Sequence, residues 1–424
     1  MATVLSDPLQ AEFTPTDSRR TFANLAHVVG GEALLRVANL GATVIIARHG
    51  GVEAFGCYAA ALAYTTVATM ITDNGLQVAA VKKIGGSTER LSEVGCDLYA
   101  TKTVLVLPML ALMAGIAALI RLSPLAWMIS CLTMVRVVGQ SYCQLQIAML
   151  KALDRMTVIG PIQGAHFTFL CAAMLYAYLR TSGIMPVLVI FIAGQTLEFL
   201  LELAVLWRSG LRPARVSLKA CYALLRGFTS VGMTFNVANG ILRLDVIVLS
   251  LIATTAMVGR FAAAQTAILV VYPVSWLFGT VLLPEMNRLS ANRLSLSRYV
   301  RRWAVLIAKV GIPCTLIGIC VGPVVLRWLF GPSYAASGRL MSIVLLATPF
   351  ILWNSLYVNQ AFALNRPRVY LGFYVATLVI AAGLDFSLGY AWAATGIAIA
   401  VVTREVIMTM GFAILHQRSI ETAV

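Results

Sequence analysis

Three arginines lie in long apolar segments, where a positive charge is costly. Arg36, Arg136 and Arg243 fall near the middle of the apolar runs 24–47, 124–147 and 229–252. An arginine at the centre of a membrane span costs at least about 2.5–3.5 kcal/mol, so we expect each to face protein or water and not lipid. Guanidinium groups bind phosphates and carboxylates through paired N–H donors. If the three converge, they predict an anion site; if each pairs with a neighbouring acid, they only cross-link helices.

Each of these arginines has a polar side chain three or four positions away. These neighbours are Glu32 and Asn39 for Arg36, Gln140 for Arg136 and Asn239 for Arg243. Side chains at those spacings share one face of a helix. We therefore predict that the polar neighbours line the same site as the arginines. Glu32 could instead neutralise Arg36 by an ion pair within the helix.

Carboxylates inside apolar segments suggest a second kind of site. Glu198 lies well inside the sixth apolar run, and Asp245 is only two residues from Arg243, so it points to another face of its helix. A carboxylate within a membrane can bind a proton or a sodium ion, or it can pair with a basic neighbour. Both interpretations remain open for Glu198, Asp245 and Glu32 as ion-coupling residues.

Two further basic residues lie within apolar runs. Arg404 is on the last run, and Lys309 is about two turns inside the ninth. We include both among the candidate substrate-binding residues. A lysine at that depth can also extend along the helix to reach the membrane surface.

The composition predicts a membrane protein built from helices. Of the 424 residues, 60% are hydrophobic and 12% are charged, whereas soluble domains are near 45–50% and 25%. A helix needs roughly 20 apolar residues to span a bilayer. We count twelve such runs, at 24–47, 54–73, 98–120, 124–147, 158–180, 184–207, 229–252, 258–284, 303–326, 338–362, 369–388 and 391–415. The prediction is an all-α integral membrane protein with twelve transmembrane helices.

Charge asymmetry between alternate loops predicts the topology. One set of loops and tails carries twenty basic residues and the opposite set carries six. Basic residues favour the cytoplasmic side of short loops. We therefore predict that both termini are cytoplasmic.

Weak internal similarity indicates a duplication. The segment 55–60 aligns with 258–263, and 151–155 aligns with 362–366. Each half then contains six spans, and an even number gives both halves one orientation, related by a pseudo-two-fold axis along the membrane normal. We predict a tail at 1–20, a six-helix bundle at 21–207, a basic linker at 208–220, a second bundle at 221–415 and a tail at 416–424. In this comparison Arg36 and Arg243 occupy matched places.

Several motifs of enzymes and motors are missing from the sequence. It has no GxxxxGK followed by Ser or Thr, no HExxH and no CxxC pair among its eight cysteines. No loop is long enough to form a soluble catalytic domain. We therefore predict a protein that is not an enzyme and that uses no cofactor or metal.

Four segments carry a resemblance to a known family. They are residues 39–84, LLPEMNRLS at 282–290, LFGPSYAASGRLMSIVLLATPF at 329–350 and QAFALNRPRVY at 360–370. The chain resembles Wzx-type polysaccharide flippases of the MOP (multidrug/oligosaccharidyl-lipid/polysaccharide) exporter superfamily. The resemblance implies a V-shaped pair of six-helix bundles around a cationic cavity, in a bacterial inner membrane.

The same resemblance implies a function and its partners. Such proteins move undecaprenyl-pyrophosphate-linked oligosaccharide units from the cytoplasmic to the periplasmic leaflet for exopolysaccharide, capsule or O-antigen synthesis. Membrane lipids surround them, and a polysaccharide polymerase and other assembly proteins are possible partners. The sequence leaves open whether product removal or an ion gradient drives transport.

Two other functions are compatible with parts of the sequence. A multidrug exporter of the same superfamily would share the fold, but cationic drugs call for an acidic cavity. A membrane polysaccharide polymerase or ligase would act on the same lipid-linked glycans, but such enzymes usually have a large periplasmic loop, and every outer loop predicted here is short.

Overall fold

The computed structural model describes the backbone of residues 15–73, 75–119, 123–180, 183–364 and 367–421. Within these ranges it leaves the side chains of 15–29, 32, 71, 116–119, 229–236, 238–239, 276–280, 367–371 and 418–421 undescribed. The described part is helical, with twelve α-helices: α1 (Pro15–Asp73), α2 (Leu76–Ile84), α3 (Thr88–Leu119), α4 (Pro124–Ala152), α5 (Ile159–Arg180), α6 (Met185–Arg208), α7 (Leu218–Ile252), α8 (Thr255–Leu289), α9 (Arg293–Phe330), α10 (Ser337–Leu345), α11 (Thr348–Ala363) and α12 (Pro367–Glu421).

Breaks in the long helices turn these elements into twelve spans. The 59-residue α1 is interrupted at Gly51, whose φ of 70° only glycine adopts without strain. The 55-residue α12 is interrupted at Trp392 and Ala393. Together α10 and α11 make one span, while α2, with 9 residues, is too short to cross a bilayer. The two parts of α1, α3 to α9, α10 with α11, and the two parts of α12 confirm the twelve-helix prediction. Within the described residues, seven helical stretches reach membrane-spanning length and hydropathy when taken alone.

The two halves of the chain meet through a matched pair of glycines. A Cβ built on Gly56 would lie 1.8 Å from the carbonyl oxygen of Thr255, and one on Gly259 would lie 2.1 Å from that of Val52. The offset is the same in both cases, since 259 − 56 and 255 − 52 both equal 203. The contact is therefore self-complementary, as expected where a two-fold axis passes between α1 and α8.

One hydrophobic core joins both halves at this end, which we call the closed end. It contains Phe55 from α1, Phe261 from α8 and Phe330 from α9. Arg48 donates from Nε to the carbonyl oxygen of Leu329 at 2.6 Å. Tyr334, in the turn after α9, donates to the carbonyl oxygen of Ala47 at 3.2 Å; burial raises the pKa of its hydroxyl, which therefore stays protonated.

At the other end, which carries the basic loops and which we call the basic end, each half has its own core. In the first half the core contains Leu76, Leu98 and Leu145, and only the first turns of α7 join it. In the second half it contains Met286 and Leu296. Apart from these first turns of α7, the halves share a core at the closed end only. This arrangement fits the predicted V-shaped pair of bundles, with a space between them that widens toward the basic end.

A short corner separates α8 from α9. α8 ends at Leu289 and α9 begins at Arg293. The Asn292 side chain accepts a hydrogen bond from the Ser295 amide at 3.1 Å. An asparagine at this position caps the first turn and starts a new helix.

Candidate functional site

Arg136 is a buried positive charge halfway along α4. That helix begins cleanly because the Ser123 hydroxyl accepts from the Ala126 amide at 3.3 Å and Pro124 occupies the first turn. Thirteen residues after the cap, about 20 Å along the axis, the helix places Arg136 beside the core that joins the halves. Its side chain is 7% exposed.

Neutral groups hold the Arg136 guanidinium. Nη2 donates to Asn39 Oδ1 at 2.8 Å, and Nη1 donates to Tyr58 Oη at 3.3 Å. The guanidinium carbon lies 4.2 Å from the ring centroid of Phe191, a cation–π contact. Arg136 makes no ion pair with a carboxylate among the described residues, so its positive charge remains available to an anion.

Arg243 brings a second guanidinium to the same place from the other half. It lies on α7 and is half-buried. Its charge is within electrostatic range of Tyr58, Arg136 and Asp245, although it forms no ion pair with Asp245 or with any other carboxylate that the structure describes. Because the two positive charges repel each other, a negatively charged group between them is favoured. We call Asn39, Tyr58, Arg136 and Arg243 the apex cluster, since they lie at the closed end of the V-shaped space.

Arg36 and Gln140 lie one turn from the apex cluster, toward the basic end. Arg36 precedes Asn39 by three residues on α1, and Gln140 follows Arg136 by four on α4; both are exposed. The first part of α1 runs away from the basic end, and α4 runs toward it. Arg36 and Gln140 therefore both lie on the side of the apex cluster that faces the opening of the V. The side chains of Glu32 and Asn239, also predicted for this site, lie outside the described residues.

The predicted match between Arg36 and Arg243 needs a correction. The offset of 203 at the glycine contact pairs Arg36 with Asn239, and Leu40 with Arg243. The two arginines are thus one helical turn apart in depth. The two aligned segments of the sequence have different offsets, 203 for 55–60 and 211 for 151–155, and the backbone contact agrees with the first.

Arg404 is not brought to the apex cluster. It is 1% exposed, and Nη1 donates to Asp245 Oδ1 at 2.7 Å and to the carbonyl oxygen of Ile241 at 3.2 Å. Its Nε is 3.4 Å from Glu405 Oε1. Arg404 therefore links α12 to α7 inside the second half.

Asp245 belongs to the same buried network. Its Oδ2 accepts from Gln265 Nε2 at 3.1 Å, and it interacts with Asp385 on α12. Asp385 is 1% exposed, and its Oδ2 has no hydrogen-bond partner among the described residues. Three carboxylates thus surround one guanidinium. Asp385 was not among the predicted residues, although an isolated aspartate within the apolar run 369–388 could have indicated it.

Glu198 lies in a separate buried network of the first half. Its Oε2 receives hydrogen bonds from His166 Nδ1 and Gln195 Nε2, both at 2.9 Å. Glu202 is one turn further along α6 and is 1% exposed. His166 was not predicted as a partner, because it is on α5 and only the fold brings it to α6.

The two lysines within spans have different surroundings. Lys309 is exposed, and it lies on the face of α9 opposite the buried Ile307 and Gly311, away from the apex cluster. Lys102 does not extend to the surface as lysines at that depth often do. It is fully buried and donates to Asp73 Oδ1 at 2.5 Å and to the carbonyl oxygen of Ser141 at 2.8 Å. This ion pair ties α3 to the end of α1 and to α4.

The fold is that of an integral membrane protein with two related bundles, and the apex cluster places positive charge between them. Several solved structures share this fold. The lipid II flippase MurJ, in an inward closed conformation, has a TM-score of 0.71 at 14% identity, covering 94% of this chain and 87% of that one. An inward-facing multidrug resistance MATE family transporter of the MOP superfamily has a TM-score of 0.68 at 11% identity, covering 95% and 98%.

A third structure of this fold is a MOP superfamily transporter from Pyrococcus furiosus, described by the reverse polarity of its binding pocket. It has a TM-score of 0.64 at 10% identity, and 95% of each chain is covered. A search of curated proteins found no match. The model of the family described as polysaccharide biosynthesis protein matches residues 23–290, which is more than half of the chain. The chain belongs to this family, and its resemblance to flippases of the MOP superfamily is confirmed.

Proposed function

We propose that this protein flips an oligosaccharide linked through pyrophosphate to undecaprenol, from the cytoplasmic to the periplasmic leaflet of a bacterial inner membrane. Both termini and the basic end face the cytoplasm in this proposal. The product serves surface polysaccharide synthesis as exopolysaccharide, capsule or O-antigen. Membership of the polysaccharide biosynthesis family supports the class of cargo.

The observation that carries the proposal is a pair of guanidiniums without carboxylate partners among the described residues, at the apex of the space. Arg136 is held by an amide, a phenol and an aromatic ring, and Arg243 comes from the opposite half. A pyrophosphate carries several acceptor oxygens and can bridge two guanidiniums by paired hydrogen bonds. Such a bridge would relieve the repulsion between the two arginines and bring the halves together.

The remaining candidate residues extend the site toward the opening. Arg36 and Gln140 are one turn nearer the basic end, where an entering headgroup would meet them first. The 203-residue offset between the halves pairs Asn239 with Arg36, so we expect Asn239 to lie at the same depth. The sugars occupy the aqueous space, and the lipid tail stays in the bilayer at a gap between the bundles.

Transport proceeds by rocking of one bundle against the other. In the described structure the shared core closes one end, and the separate cores leave the basic end open. Separation of α1 from α8 at Gly56 and Gly259 would open the closed end, and approach of the two cores would close the basic end. Repeats related by an axis along the membrane normal suit this motion.

A complementation assay tests the proposal. We expect Arg136→Gln with Arg243→Gln to lower surface polysaccharide at least tenfold in a deletion strain, with lipid-linked units accumulating on the cytoplasmic side. The matched control is Arg339→Gln, which removes an exposed arginine after the turn at the closed end. Membrane levels of each variant are measured by immunoblot. Normal surface polysaccharide in the double variant would contradict the proposal.

The same assay separates the competing functions. A polymerase or ligase predicts accumulation of units that have been flipped but not joined. A multidrug exporter predicts loss of drug resistance with surface polysaccharide unchanged. Two guanidiniums at the apex would repel cationic drugs, which disfavours the exporter.

An ion gradient is proposed to drive the cycle through Glu198, with Asp245 and Glu32 as further candidates. Glu198 is buried, and His166 and Gln195 hold one of its oxygens. In vesicles, Glu198→Gln should abolish the dependence of flipping on a proton or sodium gradient, while Glu53→Gln, at an exposed site, should keep it. Gradient dependence that survives Glu198→Gln would exclude Glu198 as the coupling residue.

A further inference from the structure

A groove of about 620 Å³ lies at the basic end of the second half, where α8 turns into α9. We call it the α8–α9 groove. Its lining includes Ser295, Arg298, Tyr299, Arg301, Arg302 and Val305. Among the residues that the structure describes, none lining the groove is acidic, so the groove presents three positive charges within one turn and a half of helix.

Folding of the corner fixes the position of these arginines. Leu296 and Val300 face inward and pack in the core of the second half at the basic end. Because this buried stripe holds α9 in place, Arg298, Arg301 and Arg302 project from its other faces, and all three are exposed. The groove is therefore a preformed feature of the helix surface.

The positive charge of the groove is not neutralised by the described part of the chain. Arg298 Nη2 contacts only the Ser295 hydroxyl, at 3.4 Å. The nearby ion pair, Arg288 with Glu285 at 3.2 Å, lies on α8 and leaves the groove arginines untouched. Arg301 and Arg302 form no ion pair with any carboxylate that the structure describes.

The length of α9 places the groove at the level of lipid headgroups. The helix has 38 residues, or about 57 Å, which exceeds the roughly 30 Å of bilayer hydrocarbon. Arg327 and the exposed Trp328 mark its far end. A membrane span of about 20 residues, counted back from Arg327, places the other boundary of the hydrocarbon near residue 307. Arg302 and Arg301 then lie about 8 and 9 Å beyond the hydrocarbon boundary, at the outer edge of the headgroup layer.

An apolar strip continues from the groove into the hydrocarbon. Val305, Leu306 and Val310 are 46%, 45% and 55% exposed and follow the arginines along α9, with the exposed Lys309 on the same face. An arginine cluster at headgroup depth, joined to an exposed apolar strip below it, matches a molecule with an anionic head and acyl chains.

We propose that the α8–α9 groove binds an anionic phospholipid of the leaflet at the basic end. Its phosphate lies on Arg298, Arg301 and Arg302, and its acyl chains lie along Val305, Leu306 and Val310. A zwitterionic lipid would bring its ammonium group into the same positive field and bind less well. This site is on the outer surface of the second half, apart from the apex cluster, and it does not depend on what the protein transports.

Native mass spectrometry of the purified full-length protein tests the proposal. The protein is equilibrated with phosphatidylglycerol or with phosphatidylcholine of the same acyl chains. We expect at least fivefold more retained phosphatidylglycerol, and at least a fivefold loss of it in the variant Arg298→Gln, Arg301→Gln, Arg302→Gln. The control variant Arg208→Gln, Arg215→Gln, Arg226→Gln removes three exposed charges elsewhere at the same end and should keep normal occupancy.

Competition distinguishes a lipid from a free phosphate. Glycerol phosphate and inorganic pyrophosphate, at the concentration of the lipid, should leave phosphatidylglycerol bound. Displacement by either would mean that phosphate alone is recognised and would overturn the lipid assignment. Equal occupancy in the groove variant and the unaltered protein, or equal retention of phosphatidylcholine, would also overturn it. If the triple variant does not fold, Arg302→Gln alone should lower occupancy at least twofold.

Discussion

The buried arginines of this protein are of two kinds, distinguished by what holds them. Arg136 contacts an amide, a phenol and a ring, and keeps its charge for a ligand. Arg404 contacts Asp245 and Glu405, and these carboxylates neutralise its charge within the second half. Removing the first should affect binding, and removing the second should affect stability.

We expect Arg404→Gln to destabilise the protein by about 3–5 kcal/mol, because it leaves buried carboxylates without their cation. The melting temperature in detergent should fall by several degrees, and adding Asp245→Asn should restore part of the loss. Arg136→Gln, which breaks no ion pair with a described residue, should change the melting temperature far less. Equal stability of Arg404→Gln and the unaltered protein would show that the network is not structural.

The sequence placed both kinds of arginine within apolar runs but could not separate them. Asp245 is 159 residues from Arg404, and His166 is 32 residues from Glu198. Only the packing of one helix against another decides which acid meets which base. Depth in a span follows from residue counting, whereas pairing follows from the fold.

At the scale of the elements, the contact between α1 and α8 controls how closely the halves approach. Gly56 and Gly259 allow backbone contact that any side chain would prevent. Their neighbours Phe55 and Phe261 then pack into the shared core. This pair of helices is therefore the part that must separate when the closed end opens.

We expect Gly56→Ala to shift the protein toward a state with the closed end open, because the new Cβ would overlap the backbone of α8. Spin labels at positions 53 and 339 in a cysteine-free background should report distances longer by a few ångström, and transport should fall. The control Gly41→Ala places a Cβ on α1 with no atom within 4 Å. An unchanged distance distribution in Gly56→Ala would show that this contact does not limit closure.

Most element types were predictable from the apolar runs, while the breaks within them were not. The run 338–362 predicted one span, but the structure divides it between α10 and α11 near Ala347. The cause is Pro349, which lacks an N–H and whose ring crowds the carbonyl group four residues earlier. The sequence contained this proline, but prolines are tolerated in membrane helices, as Pro273 and Pro284 are within α8.

At the scale of the whole molecule, two duplicated halves share a core at the closed end and separate toward the basic end. The duplication was predictable because apolar runs and short repeats recur along the chain. The depth of the site was harder to predict, since the two aligned segments gave offsets of 203 and 211, and neither pairs Arg36 with Arg243. The structure sets that register, and it places the charged groups of both halves beneath a single closed core.

Equilibrium binding of undecaprenyl pyrophosphate to the purified protein, with undecaprenol as the neutral reference, tests whether the apex cluster binds the pyrophosphate. We predict that the pyrophosphate increases affinity and that Arg136→Gln with Arg243→Gln weakens binding at least tenfold, or about 1.4 kcal/mol or more. Arg339→Gln should bind as the unaltered protein does. Equal affinity for the two lipids, or normal affinity in the double variant, would contradict the claim that the apex cluster holds the pyrophosphate.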